Sequence, residues 1–438
     1  MMKATTNIYQ IIFASLLLVG CTKVDLCDEG THPHVVDGFS VTYDWSGLEL
    51  SDDETPERLY FVATRILNTR HMVYQTDKDG KFWIEKDASK ESEDKPDNDD
   101  SESATRDNTT EPEGKYQSDI KLPGGEYFMM AFTDPAYPMV KEEQKDAEGN
   151  VIKDKDGNSV LVEVKDTRIE LVGLDEFKEV DAIHMKEVKM RHHAVASVTD
   201  IVHDTWKDLN PGIGYVWDAG RKLFISRCEY LELNAGSDYE QPFNFTPLTQ
   251  HIDINFYLDL VEDEEGGQVK PEDIEYIFTE IAGVVPEVSL STGLLNTSSL
   301  KRVIVNVPVP ATGETVTEED GRKCTILKCT ASIEVFGLIG GMDNYAIMGP
   351  GVCCLALSVK AGTKEFTSYG IANLSRKIKD LGLTEETGQI NERRKLKDSG
   401  TLTIDVHLRV TPSGTEGAAG SDGIIGWEDI KNEIHEDI

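Results

Sequence analysis

Residues 251–260 alternate without a break. Ile252, Ile254, Phe256, Leu258 and Leu260 fall on one side; His251, Asp253, Asn255, Tyr257 and Asp259 fall on the other. A period of two is the side-chain period of a β-strand, and a single wet face marks an antiparallel sheet. Residues 401–410 repeat the pattern, with Leu402, Ile404, Val406, Leu408 and Val410 facing inward, and Val303, Val305, Val307 and Val309 do likewise. Shorter runs at 39–43, 59–66, 127–132, 325–336 and 352–359 also read as strands. Turn signals such as Asp77-Lys78-Asp79-Gly80 and Asp154-Lys155-Asp156-Gly157-Asn158 separate them. The pattern predicts an all-β chain, mainly antiparallel, built as β-sandwiches.

Helical spacing is scarce. Ile371, Leu374, Ile378 and Leu381 form one apolar stripe stopped by Gly382; Trp427, Ile430, Ile434 and Ile438 form another at the C-terminus. Val195, Val198 and Val202 mark a third short stretch, and 272–281 fits helix or strand equally. Residues 85–119 hold no Val, Ile, Leu, Met, Phe or Trp, and thirteen acids against five bases. Such a segment buries too little apolar surface to offset its ordering entropy, which predicts a disordered acidic insertion. Residues 141–166 read as a projecting hairpin and 414–423 as a Gly/Ala/Ser-rich linker. The expected organisation is a leader over 1–20, a first sandwich over 21–210 carrying the insertion, a second over 211–412, and a linker with a short helix over 413–438.

The leader has its own chemistry. An apolar run from Ile11 to Val19 closes on Leu18-Val19-Gly20-Cys21, with Lys3 as its one charge. The run is too short for a membrane-spanning helix of about 20 residues. A small residue before a cysteine is the pattern of a lipoprotein signal, cleaved between Gly20 and Cys21, with Cys21 lipidated. Several acyl chains would hold the protein where a single chain binds only marginally. The plain alternative is an ordinary secretory signal with a chance cysteine. Loss of the leader removes one lysine and takes the formal charge from -36 to -37. That balance repels nucleic acid and anionic headgroups.

No catalytic signature survives inspection. Gly212-Ile213-Gly214 lacks the third glycine of a dinucleotide loop, and there is no phosphate loop, zinc helix motif or nucleophile elbow. His184, His192, His193 and His203 cluster in sequence, but adjacent histidines on one element diverge. The turns at Asp77 and Asp154 lack the closing Glu of a calcium loop, with Ala88 and Lys165 at that position. Neither catalytic residue, metal site nor cofactor is expected. Of seven cysteines, six remain beyond Cys21; Cys353 and Cys354 should face opposite sides of one strand, as should Cys324 and Cys329 if no bulge intervenes. Buried free thiols are the expected state for most. Trp45, Trp206, Trp217 and Tyr215 could stack on sugar rings, or anchor a core.

Several phrases occur in a familiar order: Leu122-Pro123-Gly124-Gly125-Glu126-Tyr127, Pro247-Leu248-Thr249-Gln250, Ile281-Ala282-Gly283-Val284, Val288-Ser289-Leu290-Ser291-Thr292-Gly293, and Trp427 near the end. With the lipobox upstream, the chain resembles the fimbrillin-type lipoproteins of the Bacteroidales, especially the FimB-like anchor and accessory branch. The resemblance implies two tandem transthyretin-like β-sandwiches on the outer membrane, lipid-anchored and surface-exposed. It also implies a part in fimbria assembly, where subunits join by exchanging a strand. It matches Cys21 as the anchor and supplies no residue signature for an exchange surface; the acidic insertion departs from its pattern. If 401–410 is an edge strand, it is the candidate. The expected role is a non-enzymatic fimbrial anchor, accessory or adhesion protein whose partners are fimbrial subunits or other surface proteins. The alternative is a surface glycan-binding lipoprotein of a nutrient-uptake system.

Overall fold

The computed structural model describes residues 34–48, 50, 54–67, 69–85, 114–137, 140–144, 151–153, 155, 158–164, 169–174, 183–187, 214–216, 221–344, 346, 348–385, 395–396, 401–417 and 424–433. Strands dominate them. In chain order they are β1 Gly38–Asp44, β2 Arg58–Arg65, β3 Arg70–Asp77, β4 Phe82–Glu85, β5 Gly114–Gln117, β6 Gly125–Thr133, β7 Val140–Glu143, β8 Leu161–Val164, β9 Ile169–Val172 and β10 His184–Glu187. There follow β11 Gly214–Val216, β12 Phe224–Leu233, β13 Asp238–Asn244, β14 Thr246–Pro247, β15 Gln250–Val261, β16 Ile274–Val284, β17 Glu287–Ser289, β18 Lys301–Asn306, β19 Glu314–Thr317, β20 Lys323–Val335, β21 Val352–Ala361 and β22 Lys364–Asn373. Helix α1, Ser375–Leu381, precedes β23 Thr384–Glu385, β24 Lys395–Leu396, β25 Thr401–Thr411, β26 Gly414–Gly417 and β27 Ile424–Glu433.

The all-β expectation holds. Pairing is antiparallel except for β1 with β13, β11 with β18, and β15 with β25. In the first half, a seven-stranded sheet ordered β14-β12-β6-β2-β3-β4-β5 packs against the β1-β13 pair. Phe39 of β1 stacks on Phe61 of β2 at 5.7 Å, and Phe243 of β13 meets the same ring edge-on at 5.9 Å. In the second half, the sheet β19-β20-β15-β25-β26 faces the sheet β11-β18-β16-β21-β22-β27. The inward residues of β15 and β25 anchor one core with Leu355, Leu357 and Val359 of β21. Burial supplies the stability here: each fully buried Leu, Ile, Val or Phe contributes about 1.5–3 kcal/mol relative to exposure.

The two halves meet through a third apolar cluster. Val62, Met130, Phe132 and Ile225, on the other face of the seven-stranded sheet, pack with Val285, Val288, Leu290, Phe336 and Ile339. Strand β10 crosses the junction, pairing with β9 on one side and β17 on the other.

Several expectations change in detail. The insertion expected over 85–119 is narrower: Glu85 lies in β4 and 114–117 form β5, its antiparallel partner. Tyr116 is the cause, since its ring meets Trp83 edge-on at 5.0 Å; residues 86–113 lie outside the described residues. Pairing carries the first sheet past residue 210, because β12 pairs with β6, β14 with β12 and β13 with β1. That differs from a division at 210/211. The helix expected within 413–438 is not formed by 424–433, which pair with β22 as β27. A ladder along ten residues satisfies backbone groups that β22 would otherwise leave open, and this outweighs helical spacing.

The apolar stripe ending at Gly382 is helical only from Ser375; Ile371 belongs to β22. Gly382 closes the helix at φ 60°, the left-handed conformation that favours glycine, with its N–H on the Ile378 and Lys379 carbonyls. Residues 272–281 resolve into a 3-10 turn at Pro271–Asp273 and then β16. The projecting hairpin over 141–166 appears as the β7–β8 ladder.

Candidate functional site

Strand β25 is the candidate raised by the alternation, and its two edges differ. One pairs in parallel with β15, from His251 opposite Thr401 to Leu260 opposite Val410. The other is covered only at its end, where β26 pairs from Leu408 to Thr411. The backbone of residues 401–407 therefore has no strand partner on that side among the described residues. An unpaired strand edge is a template for another chain.

The edge is guarded by a side chain that the sequence did not single out. Lys377 of α1 donates from Nζ to the Thr403 carbonyl at 2.6 Å. N–H and C=O of one strand residue point to the same side, so this bond places the Thr403 peptide groups on the open side. A lysine set against a strand edge is a common device for blunting it. Only the fold brings Lys377 to Thr403; no local pattern in α1 announces it.

The strand itself is held firmly. Leu402, Ile404, Val406, Leu408 and Val410 are each at most 1% exposed. At about 1.5–3 kcal/mol apiece, their burial stabilises β25 by about 10 kcal/mol. On the polar face, Asn255 donates to Asp405 at 2.8 Å, and Tyr257 stacks on His407 with centroids 4.5 Å apart. Arg409 grips Glu318 through two nitrogens, at 2.8 and 2.6 Å. The arrangement suits addition of a strand beside β25 far better than removal of β25.

The polar face also gathers the densest set of ionisable groups on β15 and β20. His251 lies between Glu334, 2.6 Å from Nδ1, and Asp253, 2.9 Å from Nε2. Ser332 donates to Asp253 at 2.7 Å, and Thr249 donates to the other Glu334 oxygen at 2.8 Å. The Ser332 hydroxyl thus faces a carboxylate, not the imidazole, and this is not the pairing of a nucleophile with its base. The cluster ties the start of β15 to the end of β20.

The other residues raised by the sequence fall into two groups, those outside the described residues and those with structural roles. Gly20 and Cys21 lie outside the described residues, as do Cys27, His192, His193, His203, Trp206 and Trp217. Asp77 accepts hydrogen bonds from the Asp79 and Lys81 backbone N–H groups, which makes it a hairpin-turn cap. Trp45 belongs to a core: it stacks on Phe245 at 4.1 Å and meets Phe224 edge-on at 5.8 Å. Tyr257 is covered by His407 on one face, with Lys328 Nζ 5.6 Å from its centroid. Neither ring offers a free flat platform.

Cys324, Cys329, Cys353 and Cys354 are buried free thiols and Cys228 is half-buried. Cys353 lines the main core and Cys354 the opposite face of the same sheet, the alternation expected of neighbours on a strand. Burial pushes the Cys329 thiol up to about 11 and raises Cys353 as well, so neither supplies a thiolate nucleophile near neutrality.

No protein-family model matches the chain, and no curated protein does. Solved structures overlap it at low similarity. One is a proposed adhesin from Bacteroides ovatus, 11% identical, with a TM-score of 0.38, covering 88% of this chain and 97% of that one. Another belongs to a group of proposed polysaccharide-binding proteins from Bacteroides thetaiotaomicron, 10% identical, TM-score 0.36, covering 88% and 98%. A third is the fimbrial anchor protein Mfa2 from Porphyromonas gingivalis, 10% identical, TM-score 0.30, covering 86% and 90%.

Proposed function

We propose that this chain is a lipid-anchored, non-enzymatic fimbrial anchor, accessory or adhesion protein of the bacterial outer surface. It engages a pilin-like subunit by accepting a strand along residues 401–407. The observation that carries the reading is the half-open edge of β25: a ten-residue ladder on one side, four residues of β26 on the other, and Lys377 as the guard. An incoming strand would displace the Lys377 ammonium from Thr403 and take up the free backbone groups. Main-chain bonds would provide affinity, and the side chains at Thr401, Thr403 and Asp405 would provide selection. Cys21 provides the tether, with the first sandwich nearer the membrane. Two tandem transthyretin-like sandwiches are the organisation this reading assumes.

The test is co-purification of pilin-like subunits with the full chain from surface-shed fibres, comparing wild type, Thr403→Pro and Cys21→Ser. Proline removes the N–H on the open side and leaves the β15 ladder intact. Thr403→Pro should lose the subunit while keeping the wild-type melting temperature. Cys21→Ser should release the complex from the membrane with the subunit still bound. Equal recovery with Thr403→Pro would refute the strand-acceptor edge; no subunit with any of the three would refute the fimbrial role. The packing of Trp45 gives the glycan-binding alternative no support.

A further inference from the structure

The described chain begins at one end of the first sandwich, and that end carries exposed apolar side chains. His34 is held there by its carbonyl, which accepts from Gly124 N at 3.0 Å; Val36 N donates to the Leu122 carbonyl at 2.9 Å. The turn joining β2 to β3 lies at the same end. Arg65 Nη2 donates to the Gly124 carbonyl at 2.9 Å, and Ile66 N donates to the Glu126 carbonyl at 2.9 Å. Leu67 in that turn is 85% exposed and Ile66 is 44% exposed. Thr69 closes the turn at φ 51°, the only non-glycine with positive φ among the described residues. Such strain persists where surrounding structure over-determines it, and it recurs at functional sites.

A third apolar group joins them. The register of β12 against β6 shifts between Cys228 and Leu231, so Glu229 and Tyr230 sit in a bulge. Bulges re-aim side chains. Tyr230 is 55% exposed, and its hydroxyl donates to Glu126 at 2.9 Å, beside the backbone carbonyl that holds Ile66. The outer face of this sheet packs against the second half at Val62, Met130, Phe132 and Ile225, with Phe128 at its margin. The chain leaves for β15 through β14, beside Phe224 and Ile225, so the Leu67 end is not the one that joins the second half.

We propose that Ile66, Leu67 and Tyr230 form a lipid-surface contact that fixes how the anchored protein stands on its membrane. The inference rests on the proposed lipidation of Cys21. Twelve residues lie between Cys21 and His34, and this stretch spans about 45 Å when fully extended and about 20 Å as a flexible coil. A tether of that length keeps this end of the sandwich within reach of the bilayer. Single exposed apolar residues are ordinary on protein surfaces. Three at the end where the tether arrives, set by backbone bonds and a bulge, are not scattered. Tyrosine favours the membrane–water interface, where its ring is apolar and its hydroxyl wet. Glu126, Glu229 and Glu232 flank the patch, so it fits a zwitterionic surface and apolar insertion, not attraction to anionic headgroups.

The test uses the full acylated protein in phosphatidylcholine vesicles, with an environment-sensitive dye at Leu67→Cys in a Cys27→Ser, Cys228→Ser background. Met342→Cys, at a 96% exposed position in the second half, is the control. The dye at 67 should shift to the blue and be quenched by nitroxide lipids, while the dye at 342 should stay in water. Ile66→Ser with Leu67→Ser should speed desorption of the acylated protein by about tenfold or more. Equal quenching at 67 and 342 on acylated protein would overturn this contact and leave the anchor standing. Absence of acyl mass on Cys21 in protein from native membranes would overturn the anchor and the contact together.

Discussion

The two sheets of the second half treat water differently. In the five-stranded sheet, β15 and β25 bury every second residue and turn polar groups outward on the other face. In the six-stranded sheet, β21 is buried at eight consecutive positions. Its inner face joins the main core, and its outer face holds Phe278, Ile304, Cys354, Ala356 and Tyr369, all at most 6% exposed. One sheet is a surface with a free edge; the other is an interior wall. A partner strand needs a wet face beside an open edge, and the five-stranded sheet pairs these at β25 and again along β20 beyond Ile326, where β19 stops.

The largest expected effect comes from placing the same charge on both outer faces. Ala356→Asp would bury a carboxylate with no cation provided for it and should destabilise by about 3–5 kcal/mol. Thr330→Asp, on the exposed face of β20 opposite Asn255, should change stability by no more than about 0.5 kcal/mol. Urea denaturation of the two variants measures the difference. If Ala356→Asp were as mild as Thr330→Asp, the six-stranded sheet would have a wet outer face and the contrast would fail.

The same difference decides what could be read from the sequence. Where one face is wet, polarity alternates, so β15 and β25 were legible residue by residue, with the inward set at 252–260 and 402–410 placed correctly. In β21 the apolar run announced a strand but could not assign its faces; only the adjacent Cys353 and Cys354 had to diverge. The segment 424–433 was misread because Trp427, Ile430 and Ile434 satisfy helical spacing, while its strand state depends on a distant partner, β22. Tyr116 escaped because an otherwise polar segment hid a single aromatic that pairs with Trp83. The open edge was only a conditional reading for the same reason. Whether β25 has one neighbour or two, and whether Lys377 reaches it, are facts of long-range pairing that no local window contains.

A second prediction uses a charge that the buried wall already holds. Glu280 of β16 faces outward from the main core, 2.8 Å from Arg302 Nε. Burial raises its carboxyl to about 7, opposed by the Arg302 charge. The folded state therefore binds this proton more tightly than the unfolded chain, whose glutamate titrates at its ordinary value. The resulting stability is fully present below about pH 4.3 and is lost as pH rises through about 7, a fall on the order of 3–4 kcal/mol. Denaturant midpoints of wild type and Glu280→Gln between pH 4 and 8 separate this contribution from other titrations. The glutamine variant should lack that part of the slope, whatever its absolute stability. Parallel slopes would mean that Arg302 keeps the carboxylate charged and that the wall tolerates the ion pair.

The smallest effect is expected on the wet face, and it tests whether β25 is held from inside. Arg409 and Glu318 form the best-aligned ion pair on that face, yet their side chains remain 30% and 24% exposed. Solvent screens such a pair, and ordering two long side chains costs entropy, so exposed pairs contribute about 0.2–1 kcal/mol. Arg409→Met keeps much of the aliphatic stem and should cost at most about 1 kcal/mol, less at high salt. A double-mutant cycle with Glu318→Gln isolates the coupling. A coupling well above 1 kcal/mol that persists in salt would mean that the polar face clamps β25. An incoming strand would then have to respect that clamp. A small, salt-sensitive coupling leaves the five inward side chains as the hold on β25, with the polar face free to vary.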